Sequence, residues 1–63
     1  DMARRLHIRL HALEEPYKEV FSLRVFGELP FAEIAQLFGK TESWARVTYF
    51  RARQKLKEAY HGT

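Results

Sequence analysis

Two groups of side chains in this sequence have types and spacings that could do chemistry. The first lies in the run from Thr41 to Leu56. Set on a helix at about 100° per residue, Ser43, Arg46, Val47, Phe50, Arg51, Gln54 and Lys57 share one face, while Ala45, Tyr49, Ala52 and Leu56 stack in a narrow arc on the other. Guanidinium groups interleaved with apolar side chains suit a DNA major groove, where Arg meets guanine edges or phosphates and apolar groups meet thymine methyls. The same wheel also describes a solvated face carrying two stray hydrophobes, or a basic amphipathic surface for a membrane or a protein. Spacing alone leaves these readings open.

The second group is His7 and His11, separated by the i, i+4 interval that lets two imidazoles share a metal, with Glu14 a turn further on. No Glu follows His7 in an HExxH arrangement, and two imidazoles with one carboxylate on an exposed helix lack the enclosing fourth ligand of a structural site. The expectation is therefore two solvated histidines and no metal. There is no cysteine, which excludes disulfides and thiolate zinc sites and fits a reducing cytoplasm. Neither a Gly-rich phosphate loop nor a Ser-His-Asp arrangement occurs, and 63 residues leave no room for a buried catalytic cleft. The chain is expected to be neither an enzyme nor a cofactor carrier.

Eleven Lys and Arg against eight Asp and Glu give a net charge of +3. The excess gathers near the C-terminus at Arg46, Arg51, Arg53, Lys55 and Lys57, which favours a polyanionic partner. The apolar runs are too short to span a bilayer and no signal-peptide h-region is present. These features describe one small cytoplasmic, monomeric domain covering residues 1–63. Its opening at Asp1, Met2 and Ala3 is read as a module cut from a longer protein.

The elements that must carry these groups are helical throughout. Ala3, Leu6, Leu10 and Leu13 repeat at helical spacing, predicting a first helix near 3–13 that leaves Ile8 pointing outward. Glu14, Glu15 and Pro16 punctuate the chain, with proline at the first helical position and acids at the positive end of the next helix. That helix, near 16–26, is apolar around most of its axis (Tyr17, Val20, Phe21, Leu23, Val25, Phe26), which marks it as central, and Gly27 is expected to end it in a left-handed conformation. A third, short helix near 31–38 should bury Phe31, Ile34, Ala35, Leu37 and Phe38 and expose Ala32, Glu33 and Gln36. Pro30 stands where a capping hydroxyl would, with Glu33 at the third position of a capping box. Gly39, Lys40 and Thr41 make a tight turn, in which Gly39 takes a positive φ and Thr41 caps a last helix near 42–60. No strand-like alternation appears, so the fold class is all-α, four helices without a wing. The expected core is Leu10, Leu13, Val20, Ile34, Leu37, Ala45, Tyr49 and Leu56. A short helix, a glycine turn and a long basic helix, with small Ala35 and Ala45 ten residues apart at the crossing, form a helix-turn-helix and tip the outward face toward DNA.

The run from Leu13 to Phe26, then Leu29 to Ala35 with Glu33-Ile34-Ala35, then Gly39, and finally Trp44 to Leu56 with Arg51-Ala52-Arg53, resembles region 4 of a bacterial sigma factor, most closely the extracytoplasmic-function (ECF) class. The resemblance spans nearly the whole chain. It implies a four-helix domain that docks on the flap of the RNA polymerase β subunit, reads the promoter −35 element and is held by an anti-sigma factor. Carried over by position, the family's contacts on the recognition helix fall on Arg46, Val47, Phe50 and Arg51, four of the outward residues named above. With Lys40, Thr41 and Ser43 at the helix start and Lys57 further along, they make up the expected DNA surface. Pro30 replaces the usual polar cap, Trp44 a small residue, and Val47 and Thr48 stand where polar or basic residues are common.

Two rival readings remain on the sequence alone. A response- or quorum-regulator output domain also ends in a recognition helix, but it usually dimerises through its last helix, and here Lys55, Lys57, Glu58, Tyr60 and His61 give no apolar seam beyond Leu56. A pure protein-interaction module, such as one gripped by an anti-sigma factor, would use Val47 and Phe50 without touching DNA.

Overall fold

In the computed structural model, which describes the backbone of residues 2–61 and the side chains of residues 4, 5 and 8–58, the chain folds into helices α1 (Met2–Ala12), α2 (Tyr17–Val25), α3 (Phe31–Phe38) and α4 (Glu42–His61). No strand occurs among the described residues. The longest helix is the spine: α4 packs most extensively against α2 and α3 and, through its C-terminal half, against α1. None of the helices is long and apolar enough to cross a membrane.

Two apolar clusters line the inward side of α4. Near its start, Ala45 meets Ile34 and Ala35 of α3 and Val20 of α2, with Leu23, Leu29, Phe31, Phe38 and Trp44 packed around them. Ala35 and Ala45 are at most 4% exposed, so the small side chains do sit where the two helices of the helix-turn-helix approach. Further along, Ala52 and Leu56 meet Leu10 of α1 and Phe21 of α2, flanked by Leu13 and Tyr17. Tyr49 touches both clusters, stacked on Phe21 at 5.8 Å and tilted against Phe31 at 5.5 Å. Leu13 and Tyr49 are only partly buried. The side chains of Ala3, Leu6 and His7 lie outside the described residues.

Several expectations are corrected. Leu37, expected in the core, is 66% exposed. The stripe that α3 turns inward is Phe31, Ile34, Ala35 and Phe38, and at 100° per residue Leu37 falls well off it, on a side no other helix covers. Conversely Thr48 is buried, at 4% exposure, because α4 turns a wider arc inward than its four-residue stripe suggested. Val25 and Phe26 are exposed, so α2 is central along its first two turns only.

The helix ends show which local signals acted. Gly39 holds φ 65° and its N–H bonds to Gln36 O while the Lys40 N–H reaches Ala35 O, the paired bonds of a Schellman stop. Gly27 does not take the left-handed conformation; the positive φ falls on Glu28, at 54°. Glycine is required at 27 for space instead, since a Cβ there would meet the Leu23 carbonyl oxygen at 2.8 Å. Pro16 precedes α2 rather than opening it, and the acid before it does cap: Glu15 Oε1 accepts from the Glu19 N–H at 3.0 Å. At α3, Pro30 offers no side-chain cap and Glu33 makes no reciprocal one; the Glu33 N–H bonds instead to the Pro30 carbonyl.

Candidate nucleic-acid interface

The turn and start of α4 are built tightly. Thr41 Oγ1 accepts from the Trp44 N–H at 3.1 Å, satisfying one of the orphan donors of the first turn, a contact worth about 0.5–2 kcal/mol. Trp44, half-buried, lies against Phe38 with ring centres 5.2 Å apart, so the large residue at this position clamps the two helices of the motif rather than projecting from it. Lys40 stands exposed beside it, its ammonium 6.0 Å from the indole centre.

Beyond the turn the outward face of α4 stands as the wheel drew it. Ser43, Arg46, Val47, Phe50, Arg51, Gln54 and Lys57 are all exposed. Val47 and Phe50 are 46% and 59% exposed, whereas Ala45, Ala52 and Leu56 on the opposite side are at most 7%. Thr48, in the same stretch, faces inward and takes no part in this surface.

The cations on α4 fall into two kinds. Arg46 is engaged: its guanidinium bonds to Glu42 one turn earlier and lies 5.1 Å from the centre of the Phe31 ring, which also carries the Arg24 guanidinium at 4.4 Å. Arg24 is itself anchored by a 3.0 Å bond from its Nη1 to the Leu29 carbonyl. An exposed i, i+4 pair contributes about 0.3–0.5 kcal/mol and an exposed cation–π contact about 0.5–1 kcal/mol, so Arg46 is biased toward one pose without being locked in it. Lys55 is engaged too, bonded to Glu14 at 3.3 Å and lying 4.9 Å from the Tyr17 ring, which ties the α1–α2 loop to α4. Among the described residues Arg51, Arg53 and Lys57 make no ion pair. Arg53 and Lys57 border a shallow groove with Phe21, Phe50, Gln54 and Leu56, so Phe50 continues into an apolar floor rather than standing alone.

Glu42 and Arg24 join the site beyond the residues expected from sequence, as does Phe31, expected only as core. The Glu42–Arg46 pair was visible in its i, i+4 spacing, acid first, which is the favourable order on a helix. The Phe31 ring was not, because only the crossing of α3 and α4 brings it beneath Arg46. As for metal, no group of three or more His, Cys, Asp or Glu that could hold an ion occurs among the described residues. The His7 side chain, half of the pair considered above, is outside them.

A tight turn, a clamped crossing and a basic, partly apolar outward face on the second helix define a helix-turn-helix DNA-binding domain. Its family is specific: the sequence model for Sigma-70, region 4 matches residues 3–56. The chain belongs to that family, and is thus a DNA-binding domain of the sigma factors that act in transcription initiation. Comparison with curated proteins and with solved structures returns no match.

Proposed function

We propose that this domain is region 4 of an ECF sigma factor and that it reads the promoter −35 element by laying the outward face of α4 in the major groove. The observation that carries this reading is the exposure of Val47 and Phe50 between Arg46 and Arg51, on a helix whose other side is fully committed to packing. Water alone gives no reason to expose two such hydrophobes there; a groove offering guanine edges and thymine methyls does. Lys40, Thr41 and Ser43, at the start of α4, are placed to approach phosphate, where exposed backbone N–H groups and the helix dipole favour an anion.

Polymerase supplies the rest of the affinity. One domain of this size with a charge of +3 holds any duplex modestly. Docking on the β flap raises the local concentration of the reader beside its element, and an anti-sigma factor covering the same surfaces silences it in the cytoplasm. A docking surface is available away from the DNA face, in the groove between α1 and α4 floored by Ile8, Leu13 and Leu56 and edged by Arg5, Arg9 and Lys55.

The test is a promoter competition series with parallel melting curves. Arg46→Ala should relax preference at a particular base pair by about 1–3 kcal/mol, and Val47→Ser should lower promoter preference at a cost of about 1–1.5 kcal/mol in stability, well below that of truncating Ile34. A Val47→Ser protein that melts early and keeps its base preference would place this residue against the fold and not against DNA.

A further inference from the structure

We propose that Glu42 and Phe31 are specificity-determining positioning residues, which hold the Arg46 guanidinium in the pose that reads one base pair. This rests on the reading of α4 as the element that enters the groove.

The geometry is a two-point holder. Glu42 accepts from Nη2 of Arg46 along the helix, and the Phe31 ring, projecting from α3, supports the guanidinium 5.1 Å away. Phe31 is fixed in turn by Tyr49 at 5.5 Å and by Arg24, which is tethered to the Leu29 carbonyl. The holder thus draws on α2, α3 and α4, and only its last member is a long, exposed side chain. A guanidinium carries five N–H donors in a planar fork. Orienting that plane from one edge and one neighbouring ring leaves other donors for a guanine edge, and reduces the rotamer freedom lost when it binds.

The sign of the charge supports a positioning role. Glu42 is a carboxylate in the first turn of the helix that enters the groove, where phosphates approach; toward DNA as a polyanion it is unfavourable. A side chain that weakens binding to every duplex and orients the reader of one base pair lowers background affinity and raises discrimination at once. Glu42 also complements the positive end of the α4 dipole, but an aspartate would do that equally well. The shorter side chain draws the carboxylate back by one methylene, so a guanidinium that follows it leaves its pose against the Phe31 ring, which separates the two roles.

The experiment selects from a duplex pool with a randomised core, at low salt, using wild type, Arg46→Ala, Glu42→Asp, Glu42→Gln, Glu42→Ala and Phe31→Leu, with a mixed-sequence duplex titrated against salt in parallel. Glu42→Ala, Glu42→Asp and Phe31→Leu are expected to flatten preference at the same base pair as Arg46→Ala, by roughly two-fold where the Glu42 pair is lost and roughly two- to five-fold where the Phe31 contact is lost. Glu42→Gln, which keeps the reach, should retain part of it. Glu42→Ala should also bind the mixed-sequence duplex more tightly, with a salt slope steeper by about one phosphate contact, because Arg46 is released to any phosphate. Glu42 is exposed, so its variants test the idea even if Phe31→Leu loosens the α3–α4 crossing. If Arg46→Ala erases a preference that every Glu42 variant keeps, the holder is refuted and the reading of Arg46 stands. If the Glu42 variants bind preferred and mixed duplexes equally more tightly, the pair restrains Arg46 rather than aiming it, and the proposal is wrong. If Arg46→Ala itself changes no preference, the proposal falls together with the assignment of Arg46 to a base.

Discussion

Ile34 and Leu37 are one turn apart on α3, are matched in size and were both expected inside, yet the structure separates them completely. Ile34 is 0% exposed, among Val20, Ala35 and Ala45 of three helices; Leu37 is 66% exposed. Truncating Ile34 to Ala deletes apolar carbons at a closed site and should cost about 2–5 kcal/mol. Full burial of a Leu side chain is worth about 1.5–3 kcal/mol, so with a third of its surface withdrawn from water Leu37→Ala should cost about 0.5–1 kcal/mol. A chain of this length has a total stability of about 3–9 kcal/mol. The first change therefore removes much or all of it, and Ile34→Val, at about 0.5–1.5 kcal/mol, is the variant that keeps a folded reference. The assay is urea unfolding followed by helical circular dichroism, comparing midpoints at constant slope. If Leu37→Ala lowers the midpoint as far as Ile34→Ala, α3 is rotated about its axis from the orientation described, and the crossing that places Phe31 near Arg46 would have to be redrawn.

Gly39→Ala should cost about 1 kcal/mol by the same assay: no atom lies within 4 Å of the added methyl, and only the left-handed backbone opposes it. Gly27→Ala should cost more, since its methyl meets a backbone oxygen that cannot swing aside. In DNA titrations, Arg51→Ala should reduce discrimination among sequences, whereas Lys57→Ala should weaken all duplexes alike and lower the salt slope by about one contact; identical behaviour of the two would remove the distinction between reading and anchoring. Added zinc should leave the melting temperature of wild type and of His11→Ala unchanged, and a stabilisation lost in that variant would restore the metal reading of His7 and His11.

Much of this architecture was legible because it depends on local rules. The 3.6-residue period located all four helices to within a residue or two, and the demand for a positive φ at Gly39 and for a hydroxyl at Thr41 fixed the turn between α3 and α4. Most of what escaped depended on partners distant in sequence. Leu37 and Ile34 look alike until the positions of α2 and α4 decide which side of a short helix is covered. Gly27 signalled a helix end correctly but for the wrong reason, since steric contact with a carbonyl and a need for positive φ select the same residue. At the candidate interface the outward face could be drawn from periodicity, because exposure on a long helix follows its wheel. The supports of Arg46 could not, because Phe31 is fifteen positions away and arrives only through the helix crossing.

Tyr49 joins the two apolar clusters from the middle of α4, stacked toward α2 and tilted toward α3. The helix that carries the side chains proposed to face DNA is thereby also the member on which every other helix depends, and its two sides are free to change to very different degrees. Substitutions inward at Ala45, Tyr49, Ala52 or Leu56 disturb the whole domain. Those outward at Ser43 or Arg51 leave its stability almost untouched, and those at the half-exposed Val47 and Phe50 cost only about 1 kcal/mol. A scaffold divided in this way can acquire a new target sequence through a handful of replacements along one stripe, without first having to be stabilised against them.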